Sequence, residues 1–280
     1  MLNKKIVVIY HGGCWDGFSG AWAAWKKFGN QAEYVGATDR FALPRRLKGK
    51  EIYLIDYTYE PDLIKELIKD NGRVTAIDHH ITSESAVKLT QQYSFSLRHS
   101  GAVLAWHYFH PSCKVPKLLR YVEDSDLWKW KLPRAREILA FVDTFDMSFK
   151  TWNRLAKDLE TAVGRKSYAE KGKFLRHYEE RLMKTEFLPN AELVNFLGYK
   201  IFALNAPHHF VDDLGHIFSK KTRSFAIVWR EGSGRIKVSL RSDGAVDVSK
   251  IAKKFRGGGH KRAAAFSFPV GQKFPWKLVR

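Results

Sequence analysis

The chain has 280 residues, of which 45% are hydrophobic and 14% aromatic, enough for one large folded domain or two modest ones. These proportions exclude an intrinsically disordered chain, and two cysteines are too few for a disulfide framework or a four-cysteine zinc site. No apolar run approaches the ~20 residues that span a bilayer, and a strand-like segment follows Met1 too closely for a signal peptide. We therefore expect a soluble, cytoplasmic protein with no membrane partner.

The net charge of +19 is unevenly distributed, with +5 on residues 1–145 and +14 on residues 146–280. A positive field of this kind suits a polyanionic partner such as nucleic acid, an oligonucleotide or polyphosphate. A solvated, lysine-rich surface without such a partner would give the same count. Charge alone leaves both interpretations open.

The first half of the chain alternates short β-branched strands with helices. The predicted elements are strand 6–10, helix 18–28, strand 52–55, helix 61–70, strand 74–77 and a helix that begins after Ser100 and runs to Tyr108. This alternation predicts parallel strands joined by crossover helices. We predict an α/β domain with a parallel sheet over residues 1–148.

The alternation is lost after residue 148, and a second pattern starts near residue 193. Apolar residues recur at helical spacing within 169–187, so we interpret residues 149–192 as a helical connector. Strands are predicted at 199–204, 224–229, 236–241 and 266–268, with a short helix at 248–255. Residues 193–280 are therefore predicted to form a smaller α/β domain with a mixed sheet.

Acidic and imidazole side chains follow each of the three predicted strands of the first half. These side chains are, in chain order, His11, Asp16, Asp56, Asp78, His79 and His80. The carboxyl edge of a parallel sheet is where ligands bind, and carboxylates meeting there repel one another unless a divalent cation lies between them. Mixed carboxylate and imidazole ligands suit Mn²⁺ and tolerate Mg²⁺, iron or Co²⁺. A single aspartate after a strand is often only a helix cap, so the case depends on three such positions at one edge.

Two motifs resemble a known family. Asp78-His79-His80 after an apolar strand, with Asp56 before it and His11 and Asp16 in the first loop, resembles the DHH phosphoesterase superfamily. Gly257-Gly258-Gly259-His260 resembles the glycine-rich signature of the DHH-associated C-terminal domain. The two motifs occur in the order typical of the family, which includes RecJ-like exonucleases and nano-RNases. The resemblance implies a metal-binding catalytic domain followed by a substrate-binding domain.

The resemblance also implies roles for individual residues. The implied metal ligands are His11, Asp16, Asp56, which would bridge two ions, His79 and one further aspartate. For this last ligand we predict Asp124, with Asp126 as the alternative, because residues 121–128 hold the only acidic cluster in the corresponding region. His80 is expected to contact the scissile phosphate, and Asp78 to orient the imidazoles as the second catalytic residue.

The first motif departs from the family pattern. Many members have Asp-x-Asp where this chain has Cys14-Trp15-Asp16. Cys14 either ligates a metal as a thiolate, leaves one metal position short of a ligand, or is a small buried hydrophobe. Whether one or two ions bind therefore stays open. Trp15 is the tryptophan that we consider for stacking on a base.

The glycine-rich loop and its basic neighbours are expected to bind substrate. The predicted residues are Arg241, Arg256, Gly257, Gly258, Gly259, His260 and Lys261. Glycines allow backbone amides to approach a phosphate, and an arginine at a strand end can hold a terminal phosphate in its planar fork. We do not interpret His208-His209 and Asp212-Asp213 as a metal site, because acidic residues are common at the start of a helix.

We expect a manganese-dependent, exonuclease-like phosphodiesterase that cleaves short oligonucleotides or dinucleotides with metal-activated water. One or two Mn²⁺ ions are the expected cofactors, with Mg²⁺ or Co²⁺ as substitutes. A nucleotide phosphatase acting on pAp-type substrates, or a polyphosphatase, is the alternative enzyme. A nucleic-acid-binding protein with a decayed metal site is the alternative of another class. Family members are often homodimers, so a second copy of the chain is an expected partner.

Overall fold

A five-stranded, fully parallel sheet organises the first of two units of the computed structural model. The structure describes residues 4–279, and the first unit ends at Arg176. Its strands are β1 (Ile6–His11), β2 (Ala32–Ala37), β3 (Glu51–Ile55), β4 (Arg73–Asp78) and β5 (Gln92–Phe95). They lie in the order β2-β1-β3-β4-β5. The direction of succession reverses between β1 and β3, and ligands bind at such a switch point in open α/β sheets.

Helices cover both faces of this sheet. The helices that begin in this unit are α1 (Trp15–Phe28), α2 (Pro61–Asp70), α3 (Glu84–Val87), α4 (Gly101–Phe109), α5 (Lys117–Asp126), α6 (Ala135–Val142), α7 (Phe149–Glu160) and α8 (Ala162–Leu182), which continues past Arg176. Side chains alternate along β1, so that Val8 packs in one core and Val7 and Ile9 pack in the other. None of the helices formed by the described residues combines the length and apolar composition needed to cross a membrane.

Helix α7 belongs to the core of the first unit. Trp152, Leu155 and Leu159 are fully buried together with α1 side chains, and Trp152 Nε1 donates to Ser19 Oγ at 2.9 Å. We predicted residues 149–192 as a helical connector. Its first part, α7, instead belongs to the first unit, because the apolar face of α7 completes this core. The second unit begins at His177.

A seven-stranded mixed sheet organises the second unit. Its strands are β6 (Glu192–Phe196), β7 (Tyr199–Asn205), β8 (Phe225–Gly232), β9 (Arg235–Ser242), β10 (Gly258–Gly259), β11 (Ala263–Pro269) and β12 (Lys277–Leu278). They lie in the order β10-β11-β9-β8-β7-β6-β12, and only the pair β7–β8 is parallel. Helix α9 (Val211–Thr222) packs in one core of this unit, and α10 (Val248–Lys254) packs in another. The predicted fold class, a parallel α/β unit followed by a smaller mixed-sheet α/β unit, is confirmed.

Replacing Trp152 with alanine should lower the free energy of unfolding by about 3–5 kcal/mol, because the change empties a buried site. Urea denaturation followed by circular dichroism measures the effect. Phe174→Ala on α8 is the matched control, since that ring is 78% exposed, and its effect should stay within about 0.5 kcal/mol. Equally small effects in both variants would contradict the assignment of α7 to the core.

Candidate metal centre

Asp56 joins groups from two neighbouring strands. It follows β3 directly with its backbone in the left-handed region, at φ 54°, and its side chain is buried. Its Oδ2 lies 3.3 Å from His11 Nδ1, and its Oδ1 lies 3.2 Å from His79 Nε2. Burial alone would raise the pKa of Asp56, but the hydrogen bonds from His11 and His79 outweigh burial and hold that pKa well below its usual value. Asp56 therefore remains an ionised group between the two imidazoles.

Asp16 is held by the beginning of another helix. Its Oδ2 accepts the backbone N–H of Gly101 at 2.6 Å, and its Oδ1 accepts that of Ala102 at 3.0 Å. Both amides belong to the first turn of α4, whose free N–H groups and dipole stabilise a carboxylate. Burial, together with the charge of Asp56, nevertheless raises the pKa of Asp16 to about 7. The backbone amides therefore offset only part of the cost of the buried charge.

Two glycines allow this close approach. A Cβ atom on Gly101 would lie 2.6 Å from Asp56 Cβ and 2.9 Å from Asp16 Oδ2. A Cβ atom on Gly17 would lie 2.4 Å from the His11 carbonyl oxygen. Sequence reasoning missed both residues as parts of the site. The available signal was a glycine directly after the predicted N-cap Ser100, whose hydroxyl does accept the Val103 N–H.

The fourth carboxylate of the cluster comes from Asp126 and not from Asp124. Asp126 Oδ2 lies 3.6 Å from His79 Nε2. The carboxylate of Asp124 instead accepts the backbone N–H groups of Lys131 and Leu132, each at 2.9 Å. This corrects our choice between the two aspartates, because both oxygens of Asp124 serve the loop that follows α5.

His79 lies at the meeting point of the carboxylates and is 1% exposed. Its Nε2 is 3.2 Å from Asp56 and 3.6 Å from both Asp16 and Asp126. Burial lowers the pKa of His79, but the carboxylates of Asp126 and Asp56 outweigh burial and raise it to about 10. Burial and the charge of Asp16 raise the pKa of Asp126 to about 8. When Asp16, Asp56 and Asp126 are all ionised, they carry more negative charge than the imidazolium of His79 neutralises.

The Asp78 carboxylate contacts both of the histidines that follow it in the Asp78-His79-His80 motif. Its Oδ1 lies 2.7 Å from His80 Nδ1 and accepts the backbone N–H of His79 at 2.7 Å, while its Oδ2 accepts from Thr58 Oγ1 at 3.0 Å. Burial would raise the pKa of Asp78, but the neighbouring His80 outweighs burial and lowers it to about 2. The carboxylate is therefore ionised and fixes the orientation of the His80 ring. The contact between Asp78 and His80 supports the positioning role that we propose for Asp78.

The side chains form two adjacent groups that fit divalent cations. One contains His11, Cys14 and Asp56, and the other contains Asp16, His79 and Asp126; within each group the candidate ligand atoms lie within 4.8 Å of one another. Asp56 connects the groups because one of its oxygens approaches His11 and the other approaches His79. Carboxylate and imidazole donors in excess of the available positive charge are suitable ligands for a divalent metal. Burial raises the pKa of Cys14 to about 11, so its proton leaves only when another charge replaces it.

The predicted substrate-binding residues of the second unit lie close together in its sheet. Residues 256–261 connect α10 to β11, and Arg241 on β9 pairs with Ala263 at the end of this loop. A Cβ atom on Gly257 would lie 2.1 Å from the carbonyl oxygen of Ala265, and one on Gly259 would lie 2.5 Å from that of Ala263. These glycines are therefore needed for the close approach of the loop to β11, a reason that the sequence interpretation did not include.

Other polar residues of the second unit pair with each other. Arg241 Nε donates to Asp212 Oδ1 at 2.5 Å, which orients the guanidinium that we predicted to hold a phosphate. His209 Nε2 lies 2.7 Å from Glu179 Oε1. Among the described residues, the groups that could hold a metal ion include neither His209 nor Asp212.

Residues 208–275 match the family model described as the DHHA1 domain. RecJ from Thermus thermophilus, solved in complex with Mn²⁺, has the same fold: its TM-score is 0.51 and its identity 16%, over 94% of this chain and 49% of that chain. The chain therefore contains a DHHA1 domain. The C-terminal DHH-associated domain, inferred from the glycine-rich motif, is thereby confirmed, and the shared fold supports the superfamily inferred from the Asp78-His79-His80 motif.

Two further proteins are similar to this chain over nearly all of its length. An uncharacterized protein of Acanthamoeba polyphaga mimivirus is 27% identical over 287 residues, which is 94% of this chain and 67% of the relative. A structure described as a pGpG-specific phosphodiesterase from Vibrio cholerae has a TM-score of 0.47 and 12% identity, over 95% of this chain and 94% of that one.

Replacing Gly101 with alanine should weaken Mn²⁺ binding by about 10–100-fold, the usual cost of disturbing residues that support metal ligands. The added methyl group would collide with Asp56 and Asp16. Isothermal titration calorimetry on metal-free protein measures the affinity. Gly72→Ala is the control, because its Cβ atom would have no neighbour closer than 3.7 Å; unchanged affinity in both variants would contradict the packing argument.

The two neighbouring aspartates should respond differently to neutralisation. Asp126→Asn should weaken cation binding because it removes a candidate ligand atom, whereas Asp124→Asn should lower the melting temperature because one carboxylate oxygen that accepts a backbone N–H is lost. Calorimetric titration with Mn²⁺ and thermal unfolding of the same samples separate the effects. If Asp124→Asn instead weakened Mn²⁺ binding and Asp126→Asn instead lowered the melting temperature, Asp124 would be the ligand.

Proposed function

We propose that the chain is a metal-dependent phosphoesterase that hydrolyses phosphodiester bonds of short oligonucleotides or dinucleotides. The observation that carries the proposal is the meeting of carboxylates and imidazoles from β1, α1, β3, β4 and α5 beside the switch point of the parallel sheet. The proposed ligands are His11, Asp16, Asp56, His79 and Asp126. The fold shared with RecJ, whose structure was solved with Mn²⁺, supports Mn²⁺ as the cation.

The residues of this chain would hold and orient the reacting groups. Divalent cations, when bound, would supply an activated water and neutralise charge on the phosphoryl group. Asp56 would hold both cation positions in a defined relation through its two oxygens, and the α4 amides would keep Asp16 from turning away. A buried charge that is held in place needs no reorganisation during the reaction.

His80 is the proposed contact to the scissile phosphate. Its Nδ1 is engaged by the Asp78 carboxylate at 2.7 Å, and its side chain is 24% exposed. The opposite ring nitrogen, Nε2, is therefore the atom that can donate a hydrogen bond to a phosphate oxygen. Asp78 would hold the ring in the orientation that presents Nε2 to the phosphate.

The second unit is proposed to bind the remainder of the substrate. Its candidate residues carry positive charge or expose backbone, and Arg241 is oriented by Asp212. Residues 146–280 carry a net charge of +14, which favours a polyanionic substrate over a small neutral ester. The proposed substrate-binding residues are Arg241, Arg256, Gly257, Gly258, Gly259, His260 and Lys261.

A product time course tests the proposal. With Mn²⁺, the protein should release mononucleotides from a 5′-labelled dinucleotide, and chelation by EDTA should stop the reaction. Asp56→Asn and His79→Ala should each reduce kcat/KM by more than about 100-fold, since loss of a ligand exceeds the 10–100-fold cost of losing a supporting residue. Cys113→Ser, at an exposed position, is the control and should retain activity.

Parallel substrates separate the related activities. Faster turnover of 3′-phosphoadenosine 5′-phosphate or of polyphosphate than of the dinucleotide would assign the enzyme to phosphatases. Binding of oligonucleotides with a steep salt dependence, without hydrolysis under any cation, would instead show a nucleic-acid-binding protein. Hydrolysis that survives both Asp56→Asn and His79→Ala would contradict the site as proposed.

A further inference from the structure

Cys14 lies in the group that contains His11 and Asp56. Its Sγ, one ring nitrogen of His11 and one carboxylate oxygen of Asp56 all lie within 4.8 Å of one another. Ligands around a tetrahedral Zn²⁺ lie about 2.0–2.3 Å from the ion, so three donor atoms spaced in this way can reach a common ion. The placement of the thiol therefore suits a metal ligand.

The local backbone directs the thiol to this position. Cys14 is the N-cap residue of α1, with an extended backbone at φ −121° and ψ 137°, and its side chain accepts no capping hydrogen bond. It is partly exposed, whereas the next residues that face the sheet, such as Phe18, are buried. A thiolate at the beginning of a fourteen-residue helix is stabilised by the helix dipole. The other cysteine, Cys113, is exposed and belongs to none of the metal-holding groups found among the described residues.

The two cation positions differ in chemistry. The first offers a thiol, an imidazole and Asp56 Oδ2, and the second offers an imidazole and carboxylates only, from Asp16, Asp126 and Asp56 Oδ1. Sulfur ligands select Zn²⁺ and related borderline-soft ions, whereas carboxylate ligands suit Mn²⁺ and Mg²⁺. The two positions are therefore expected to prefer different metals.

We propose that Cys14 is a thiolate ligand, and that with His11 and Asp56 it forms a Zn²⁺-type position beside an oxygen-rich position suited to Mn²⁺. Binding forms one metal–sulfur bond and releases the thiol proton to solvent, with no change in oxidation state. The inference rests on the proposed metal-dependent function and deepens it, because it predicts a centre with two unlike cations.

Cobalt spectroscopy tests the proposal independently of activity. Metal-free protein carrying Cys113→Ser, so that Cys14 is the one remaining thiol, is titrated with Co²⁺. A near-ultraviolet sulfur-to-cobalt charge-transfer band should grow to saturation with one equivalent of Co²⁺ bound per chain at the first position. Zn²⁺ should abolish this band by displacement, and excess Mn²⁺ should leave it in place.

Two substitutions of Cys14 make the test decisive. Cys14→Ser should lose the band, and Cys14→Asp should lose the band while retaining two bound cations by calorimetry, because a carboxylate can replace the thiolate. Two bound Co²⁺ ions without the band in the Cys113→Ser protein would overturn the proposal. So would a band that persists in Cys14→Ser.

The outcomes also separate this inference from the proposed function. A charge-transfer band in a protein that hydrolyses none of the substrates would leave the thiolate ligand standing and refute the phosphoesterase. Metal-dependent hydrolysis by a protein without the band would support the phosphoesterase and refute the thiolate ligand.

Discussion

Mutual repulsion among the carboxylates that meet at His79, two of which are buried, is the constraint on which the first unit depends. Asp16, Asp56 and Asp126 all approach one imidazole nitrogen of His79 to within 3.6 Å. Like charges about 4 Å apart repel by about 4 kcal/mol when the effective dielectric constant is about 20. Protonation of a carboxylate, positive charge or oriented N–H dipoles can hold such an arrangement together. The α4 amides and His79 supply part of this compensation, and divalent cations fit the remainder.

The backbone accepts strain and close contacts in order to bring these groups together. Asp56 adopts a left-handed conformation at φ 54° that costs free energy for a residue other than glycine. Gly17 and Gly101 lie where a methyl group would overlap the chain that carries His11 and Asp56. Such features concentrate at sites whose ligands must be in position before a substrate arrives. They are difficult to explain if the cluster only stabilised the fold.

The sequence predicted those parts of the molecule that depend on local patterns. The β-branched runs predicted β1, β3 and β4, and a side chain directly after such a strand must lie at the carboxyl edge of the sheet. Asp124 and Asp126 could not be separated in this way, because two residues of the same chemistry lie in one helical turn and tertiary contacts decide which faces the site. Strands β2 (AEYVGA) and β5 (QYSF) lie at the two edges of the sheet and were missed because neither contains a continuous β-branched apolar run. Helix α7 was misplaced because an amphipathic pattern does not show which core it completes.

The sequence identified the glycine-rich loop but explained its glycines only in part. The sequence identified Gly257 and Gly259 through their resemblance to a substrate-binding signature. The structure adds that a methyl group at either position would collide with a carbonyl oxygen of β11. A substitution there would therefore displace the loop before any effect on a phosphate contact could appear. Loss of binding in such a variant would show that the loop geometry matters, and not that the glycine itself touches substrate.

Asp56 makes the two cation positions interdependent. One oxygen approaches His11 and the other approaches His79, so a cation at either position draws on the same carboxylate charge. The second position has Asp16 and Asp126 as further anions, whereas the first depends on Cys14 for its additional negative charge. If Cys14 stayed protonated, the first position would keep only the neutral His11 imidazole and one oxygen of Asp56. These two ligands supply too little negative charge to hold a divalent ion firmly. Under the proposed assignment, the ionisation of one thiol would therefore determine whether the chain binds one cation or two.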